Sequence, residues 1–457
     1  ASVGSQYSSG GFAADVAVAG GTTPGSQQQF CFRNCSFGEG VDLCSWSLVT
    51  CGCEGDVVEE RKDGKAGIVS NVARTSRIAA KPFVTMRTLK TMADRDVVEL
   101  HVPTLKTQTC GVAFNDDDDD DVVPFEYVYY ARADRDAAAS IQGQIDEGYH
   151  VVLAPGIFHL ETGLVVRRKN QVILGLGMAT LMAPTDGTPC ITVPSDIDGV
   201  RLAGITLQAS TAKNHTLLDV SGSSVANPTI LSDVFARVGG PDLDRTGVGC
   251  DVMICIHADG VIGDNLWLWR ADHSIIDDVE DPPDEAHHLV VAGEFPCETA
   301  LRVDGKSVTI YGLACEHVTK NQVVWNGDQG TVIFYQCELP YDVDHASFSG
   351  FSGYVVDDAV ESHQAWGLGI YSFFRDAECQ VESAITAPDK PNVVFKNAYT
   401  RFLNARGHGR INHVINQTGG ASWRAQGPDP NVPERFVDGV FPIIRSYPES
   451  QPEDPQA

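Results

Sequence analysis

Val308-Thr309-Ile310-Tyr311-Gly312-Leu313, Val323-Val324-Trp325-Asn326 and Val332-Ile333-Phe334-Tyr335 are three short β-branched or aromatic runs. Val308 and Val332 stand 24 residues apart. Each run is bounded by Gly, Asn, Asp or Pro, as strands are. The same texture recurs at Val172 to Leu174, Val200 to Leu207, Leu217 to Val220, Met253 to Ile256, Leu289 to Val291, Tyr354 to Val356 and Val393 to Phe395. Almost no amphipathic helix lies between these runs, which argues against βαβ units and for an all-β stack. Gly175 and Gly204 are 29 residues apart, and periods of this size mark solenoids or propellers. Asn after a strand, as in Trp325-Asn326 and Lys396-Asn397, suits a left-handed corner. A sandwich would show hairpin turns every 8–12 residues, and few occur. The pattern predicts an all-β, right-handed parallel β-helix.

Ala131 to Glu147 reads as one amphipathic helix, with Ala137, Ile141 and Ile145 four residues apart,. It runs into the apolar stretch Tyr149 to Ala154 and then Pro155-Gly156, as a helix capping the open end of a solenoid would. Asp116 to Asp121 is an unbroken acidic run and should be solvated,; as a calcium loop it lacks the required Gly and terminal Glu. The expected division is coils of a first β-helix over 1–123, a linker and capping helix over 124–145, a second β-helix over 146–425 and an extended acidic, Pro-rich tail over 426–457.

Net charge is −28 over 457 residues. That repels nucleic acid and anionic membranes and disfavours polyanionic polymers; a neutral polysaccharide fits better. No apolar run is long enough to span a bilayer, so no membrane insertion is expected. Of 13 Cys, five crowd one segment: Cys31, Cys35, Cys44, Cys51 and Cys53. With the sequons at Asn34, Asn214 and Asn416 they predict a disulfide-bonded, glycosylated, extracellular protein. Cys51-x-Cys53 has no second Cys/His pair of matching spacing, so neither a metal site nor a cofactor is expected.

Glu316 and Glu338 are 22 residues apart, about one coil. They should stack on neighbouring coils of one face, giving the pair of carboxyl groups that glycoside hydrolysis uses; stacking also raises one pKa, as a general acid requires. A solvated surface ladder is the competing reading of the pair. Around it stand His317, Trp325, Tyr335, Gln336 and Tyr341, preceded by Trp269, Asp272 and His273 and followed by Trp366. Aromatics stack on sugar faces while acids and amides hold hydroxyls. Phe373 and Phe374 are assigned to core. Val172 to Thr180 mimics a strand running into a dinucleotide-binding turn, but lacks the third small residue and the helix,.

Four motifs resemble glycoside hydrolase family 55, the exo-β-1,3-glucanases or laminarinases. They are Ser9-Gly10-Gly11-Phe12-Ala13-Ala14-Asp15, Ser26 to Asn34, Gln336-Cys337-Glu338-Leu339-Pro340-Tyr341 and Gly367 to Phe374. The resemblance implies two pectin-lyase-like β-helices side by side with the active site between them. It implies Glu338 as general acid, Tyr341 beside it, Glu316 as a second acid, Ser9 holding the attacking water, and inversion. The family's second water-holding residue, a Gln upstream of the Ser-Gly-Gly motif, lies before this chain's start. The first β-helix is therefore expected to be represented only by its last coils: the missing part is a separate chain, such as an N-terminal fragment of the same precursor, or this is a fragment, or catalysis has been lost; self-assembly is the other partner considered. Asp342 stands where an amide or aromatic is expected.

The function expected is secreted, inverting exo-hydrolysis of β-1,3-glucan. The alternative is a non-catalytic structural or glycan-binding β-helix of a wall, sheath or appendage. A lyase ranks last, because Lys is sparse near Glu338 and uronate chemistry needs a base and a neutralising cation.

Overall fold

Short β-branched runs repeating about once per coil find their partners one coil away, in parallel. The computed structural model, which describes residues 9–25, 27–42, 46–56, 67–89, 95–112, 120–240, 247–275, 287–403, 408–423 and 442–448, shows this twice. Ser9–Ala14, Gln27–Arg33, Ser47–Cys51 and Ile68–Val72 form a parallel four-stranded sheet. A larger unit builds a twelve-stranded sheet from Val128–Ala131 to Val393–Phe402, closed by the antiparallel strand Ile443–Tyr447. A ten-stranded sheet runs beside it. Between the sheets lies a column of fully buried Leu, Ile and Val. The chain is thus a parallel β-helix, and Val172–Met182 is one of its strands rather than a nucleotide-binding turn.

The segment expected to hold only coils also contains an antiparallel meander, Phe83–Leu89, Arg95–Val102 and Asp121–Pro124. Its alternation of polar and apolar residues suits hairpin pairing with one wet face. On that face Arg87 meets Glu99 at 2.7 Å. The helix starts at Ala138, not Ala131, because Ala131 already pairs with Leu153 in the large sheet. It ends on left-handed Gly148 and buries Ala138, Ile141 and Ile145. Of the Asp run, residues 116–119 lie outside the described residues; Asp121 opens a meander strand. No described helix is long and apolar enough to cross a membrane.

The disulfide expectation is overturned for the twelve described cysteines, all of which are thiols; Cys44 lies outside the described residues. Most are buried. Cys250 sits above Cys297 and Cys315 above Cys337 in register, as small apolar fillers of the solenoid core,. The three sequons fail for a related reason, since each amide is used inside the fold. Asn34 is 2% exposed and bonds Thr75 and Thr109. Asn214, fully buried, donates to the Pro184 and Thr188 carbonyls. Asn416 bridges Ala387 and Tyr447. None offers a free amide to a glycan.

The long sheet bends along one column of left-handed residues: Gly204, Asp233, Asn265, Gly312, Phe334, Gly367 and Asn397. Asn397 thus takes the expected corner, whereas Asn326 does not and instead donates to Asp304. This bend receives the N-terminal coils. Cys31, Val49, Cys51 and Ile78 pack against Ile230, Ile262, Tyr311 and Ile333. Arg33 Nε donates to Asp264 at 2.7 Å, and Asn397 donates to the Val69 carbonyl at 3.0 Å. A Cβ on Gly312 would lie 2.4 Å from the Phe12 ring, at φ +69°. Gly312→Ala is expected to lose about 1–3 kcal/mol from overpacking and backbone strain, measurable as a lower urea midpoint.

Candidate active site

Register builds the site. Along one face of the large sheet, Trp269, Glu316, Glu338 and Tyr371 follow one another as direct partners on successive coils. One residue pair closer to the bend, Trp267, Ala314, Gln336 and Gly369 do the same. Side chains two apart on a strand share a face, so Glu338 and Gln336 point together into the groove between the units.

Glu338 is held by convergent donors. Gln28 Nε2 reaches its Oε1 at 2.8 Å from the N-terminal coils, Gln336 Nε2 at 3.4 Å from its own strand, and Tyr341 donates its hydroxyl to Oε2. Gln336 also donates to Gln28 at 3.2 Å. Glu316 accepts from the Trp267 indole at 2.9 Å. Burial first, and then the facing Glu338 carboxylate, push the Glu316 carboxyl up to about 7, against the pull of His317 and Trp267. Two carboxyl groups stacked this closely favour keeping a proton between them.

Behind the pair, His317 sits in the left-handed region at φ 67°, almost fully buried, with its ring edge against Tyr341 at 4.4 Å. Tyr341 packs on Phe373 at 5.1 Å, so Phe373 belongs to this wall and not to the core. Burial, and then the adjacent Glu338 and Asp272 charges, raise the Tyr341 phenol well above its ordinary value. Asp272 contacts the His273 ring at 2.9 Å and the His317 ring at 3.9 Å. Burial works against its ionisation, but those two imidazoles outweigh it and hold its carboxyl below the usual range. Trp269 stacks on Trp267 at 5.8 Å and 21°, with His273 beside it.

A cavity of about 270 Å³ opens in front of Glu316, lined by Gly10, Gly11, Phe12 and Gln28 on one side and Phe235, Trp267 and Gln336 on the other. The structure thus gathers Glu338, Glu316, Gln336, Tyr341, His317, Asp272, His273 and Trp269. Three expected sugar contacts lie elsewhere. Trp325 is fully buried in the solenoid, its indole bonded to the Gly327 carbonyl. Tyr335 is equally buried and donates to Gly353. Trp366 packs at the junction of the two units. Strand alternation turns Tyr335 away from Glu338, Trp325 stands on a strand of the other sheet, and Trp366 lies beyond the bend opposite Ile333. Ser9 opens its strand opposite Gln27, and its side chain lies outside the described residues. Asp342 is buried in a two-pronged pair with Arg270, at 2.9 and 2.7 Å. Gln28, Trp267 and Phe235 join the site without a sequence expectation behind them. Trp267 was readable from the Trp267-Leu268-Trp269 alternation, which puts both rings on one face. Among the described residues no group of His, Cys, Asp and Glu has the makings of a metal site.

The LAM55 pectate lyase-like domain model matches residues 129–338. An exo-β-1,3-glucanase of Streptomyces sp. strain SirexAA-E (ActE) is 31% identical over 429 residues, 90% of this chain and 65% of that protein. The solved structure of sacteLam55A from Streptomyces sp. SirexAA-E superimposes with a TM-score of 0.80 at 29% identity, covering 96% of this chain and 74% of that one. The chain is a parallel β-helix protein similar to these exo-β-1,3-glucanases over most of its length. It spans just under two thirds of the length of the curated Streptomyces relative. A glucan 1,3-β-glucosidase of Cochliobolus carbonum matches over a shorter stretch, 27% identical over 187 residues, 36% of this chain and 22% of that one. The LAM55 match ends at Glu338, so both glutamates of the pair fall inside the matched segment.

Proposed function

We propose that this protein hydrolyses β-1,3-glucan outside the cell, from a chain end and with inversion. The observation that carries this is the stacked Glu316/Glu338 pair, whose Glu316 member lines a cavity walled by Trp267 and Phe235. The names of the relatives supply the polymer. A polymer cannot cross a membrane, so it is met outside.

In this reading Glu338 delivers the proton to the glycosidic oxygen, oriented by Tyr341 and Gln28. Residues on neighbouring coils sit about 4.8 Å apart, whereas an inverting pair spans roughly 6.5–9.5 Å. Glu316 therefore does not act as the base across the sugar. It exchanges protons with Glu338, and the attacking water stands across the sugar ring from the pair, a role that the Ser-Gly-Gly resemblance gives to Ser9. Trp267 and Trp269 stack on sugar.

Purified protein is expected to release glucose from laminarin with the α-anomer formed first, read by proton NMR. Absence of any release would leave a glucan-binding β-helix. The pH profile follows from Glu316: its raised carboxyl keeps the pair's proton below about pH 7 and loses it above,. Activity is expected to fall as pH rises through that value, and Glu316→Gln should abolish or displace this alkaline limb.

A further inference from the structure

Past Phe12 and Asn265, which line both, the groove continues from the acid-pair cavity into a second one of about 590 Å³. That is the size of pockets that hold small organic ligands. Its walls are of two kinds. Phe12 lies at the shared end, and Phe83, 41% exposed, at the rim, its ring stacked on His101 at 4.8 Å and 10°. Between them runs a polar band. Lys81 meets Asp233 at 2.6 Å, and Asn265 donates to the same carboxylate at 2.7 Å. Arg33, 1% exposed, spends Nε and Nη2 on Asp264 and Asp15 and is left with Nη1 unpartnered. Four carboxylates, Asp15, Asp120, Asp233 and Asp264, outnumber the cations Arg33, Lys81 and Lys106 along the lining. An anionic ligand is repelled there. A neutral molecule with apolar faces and a hydroxyl edge, able both to donate and to accept, matches both kinds of wall.

We propose that this cavity is a second carbohydrate pocket, distinct from the acid-pair cavity, that takes a β-1,3-gluco-oligosaccharide. The ligand's identity rests on the proposed glucanase reading. Holding the polymer at a second point raises its effective concentration at Glu338 without adding a contact to the reacting sugar.

The test is laminaritetraose binding by calorimetry to Glu338→Gln, alone and combined with Phe83→Ala or with Thr104→Trp, which fills the cavity. Two sites are expected in the single variant, one of them weakened at least tenfold by either added change. In the otherwise native chain, Phe83→Ala and Thr104→Trp should leave kcat and KM on laminaribiose unchanged and raise KM on laminarin several-fold. Thermal melting checks that both variants fold, and Phe83, at the rim, is the gentler of the two. A single site untouched by either change, or two sites that both survive, overturns the proposal. Loss of a site in Phe83→Ala without any glucose release by the native chain would keep the pocket and sink the hydrolase.

Discussion

Replacing Glu338 with Gln is expected to lower kcat/KM for glucose release from laminarin by about a thousandfold, within the ~10²–10⁴ that a general acid contributes. The substitution keeps the side chain's volume and its place between Gln28, Gln336 and Tyr341. What it removes is the proton destined for the leaving oxygen. Melting should therefore shift little. A merely structural role would depress every substrate alike. An acid role predicts that a 2,4-dinitrophenyl glucoside, whose leaving group needs no proton, recovers much of the lost rate. Equal losses on laminarin and the activated glucoside would remove Glu338 from the acid's place. Tyr341→Phe should cost less, about tenfold, because Gln28 and Gln336 still fix the carboxyl.

What was legible in the sequence was whatever a repeat can encode. The spacing of Glu316 and Glu338 fixed their stacking, and they are direct register partners. Strand texture gave the solenoid, because a parallel coil repeats its apolar positions with the coil length. Facing was harder to read. Tyr335 sits next to Gln336 in sequence, yet alternation sends it into the core, and Trp325, on a strand of the other sheet, is buried there too. The cysteines and sequons misled because a β-helix interior takes Cys as a small apolar filler and Asn as a corner amide. Gln28 reaches Glu338 across 310 positions of sequence. No local pattern encodes that contact; only the docking of one unit on the other creates it.

That docking has its own expected result. Arg33→Met should destabilise the protein by about 3–5 kcal/mol, the cost of leaving a buried charge without its partner. Arg33 lies on Gln27–Arg33 of the first unit and Asp264 on Ile262–Arg270 of the second. Both are almost fully buried, with two bonds of 2.7 and 2.8 Å between them. Burial pushes the Asp264 carboxyl above the ordinary carboxylate range even though Arg33 pulls it down. Without Arg33 it rises further, so the folded variant takes up a proton more readily than the unfolded chain. Stability of Arg33→Met should consequently recover as pH is lowered and fall as it is raised, a trend read from urea midpoints at pH 5 and pH 7. Combining Arg33→Met with Asp264→Leu removes the stranded charge and is expected to restore most of the loss. A single-variant loss below about 1 kcal/mol at pH 7 would mean that water reaches Asp264 once Arg33 is gone. The groove that brings Gln28 to Glu338 would then be held by the apolar contacts of Cys31, Val49 and Ile78 rather than by this ion pair.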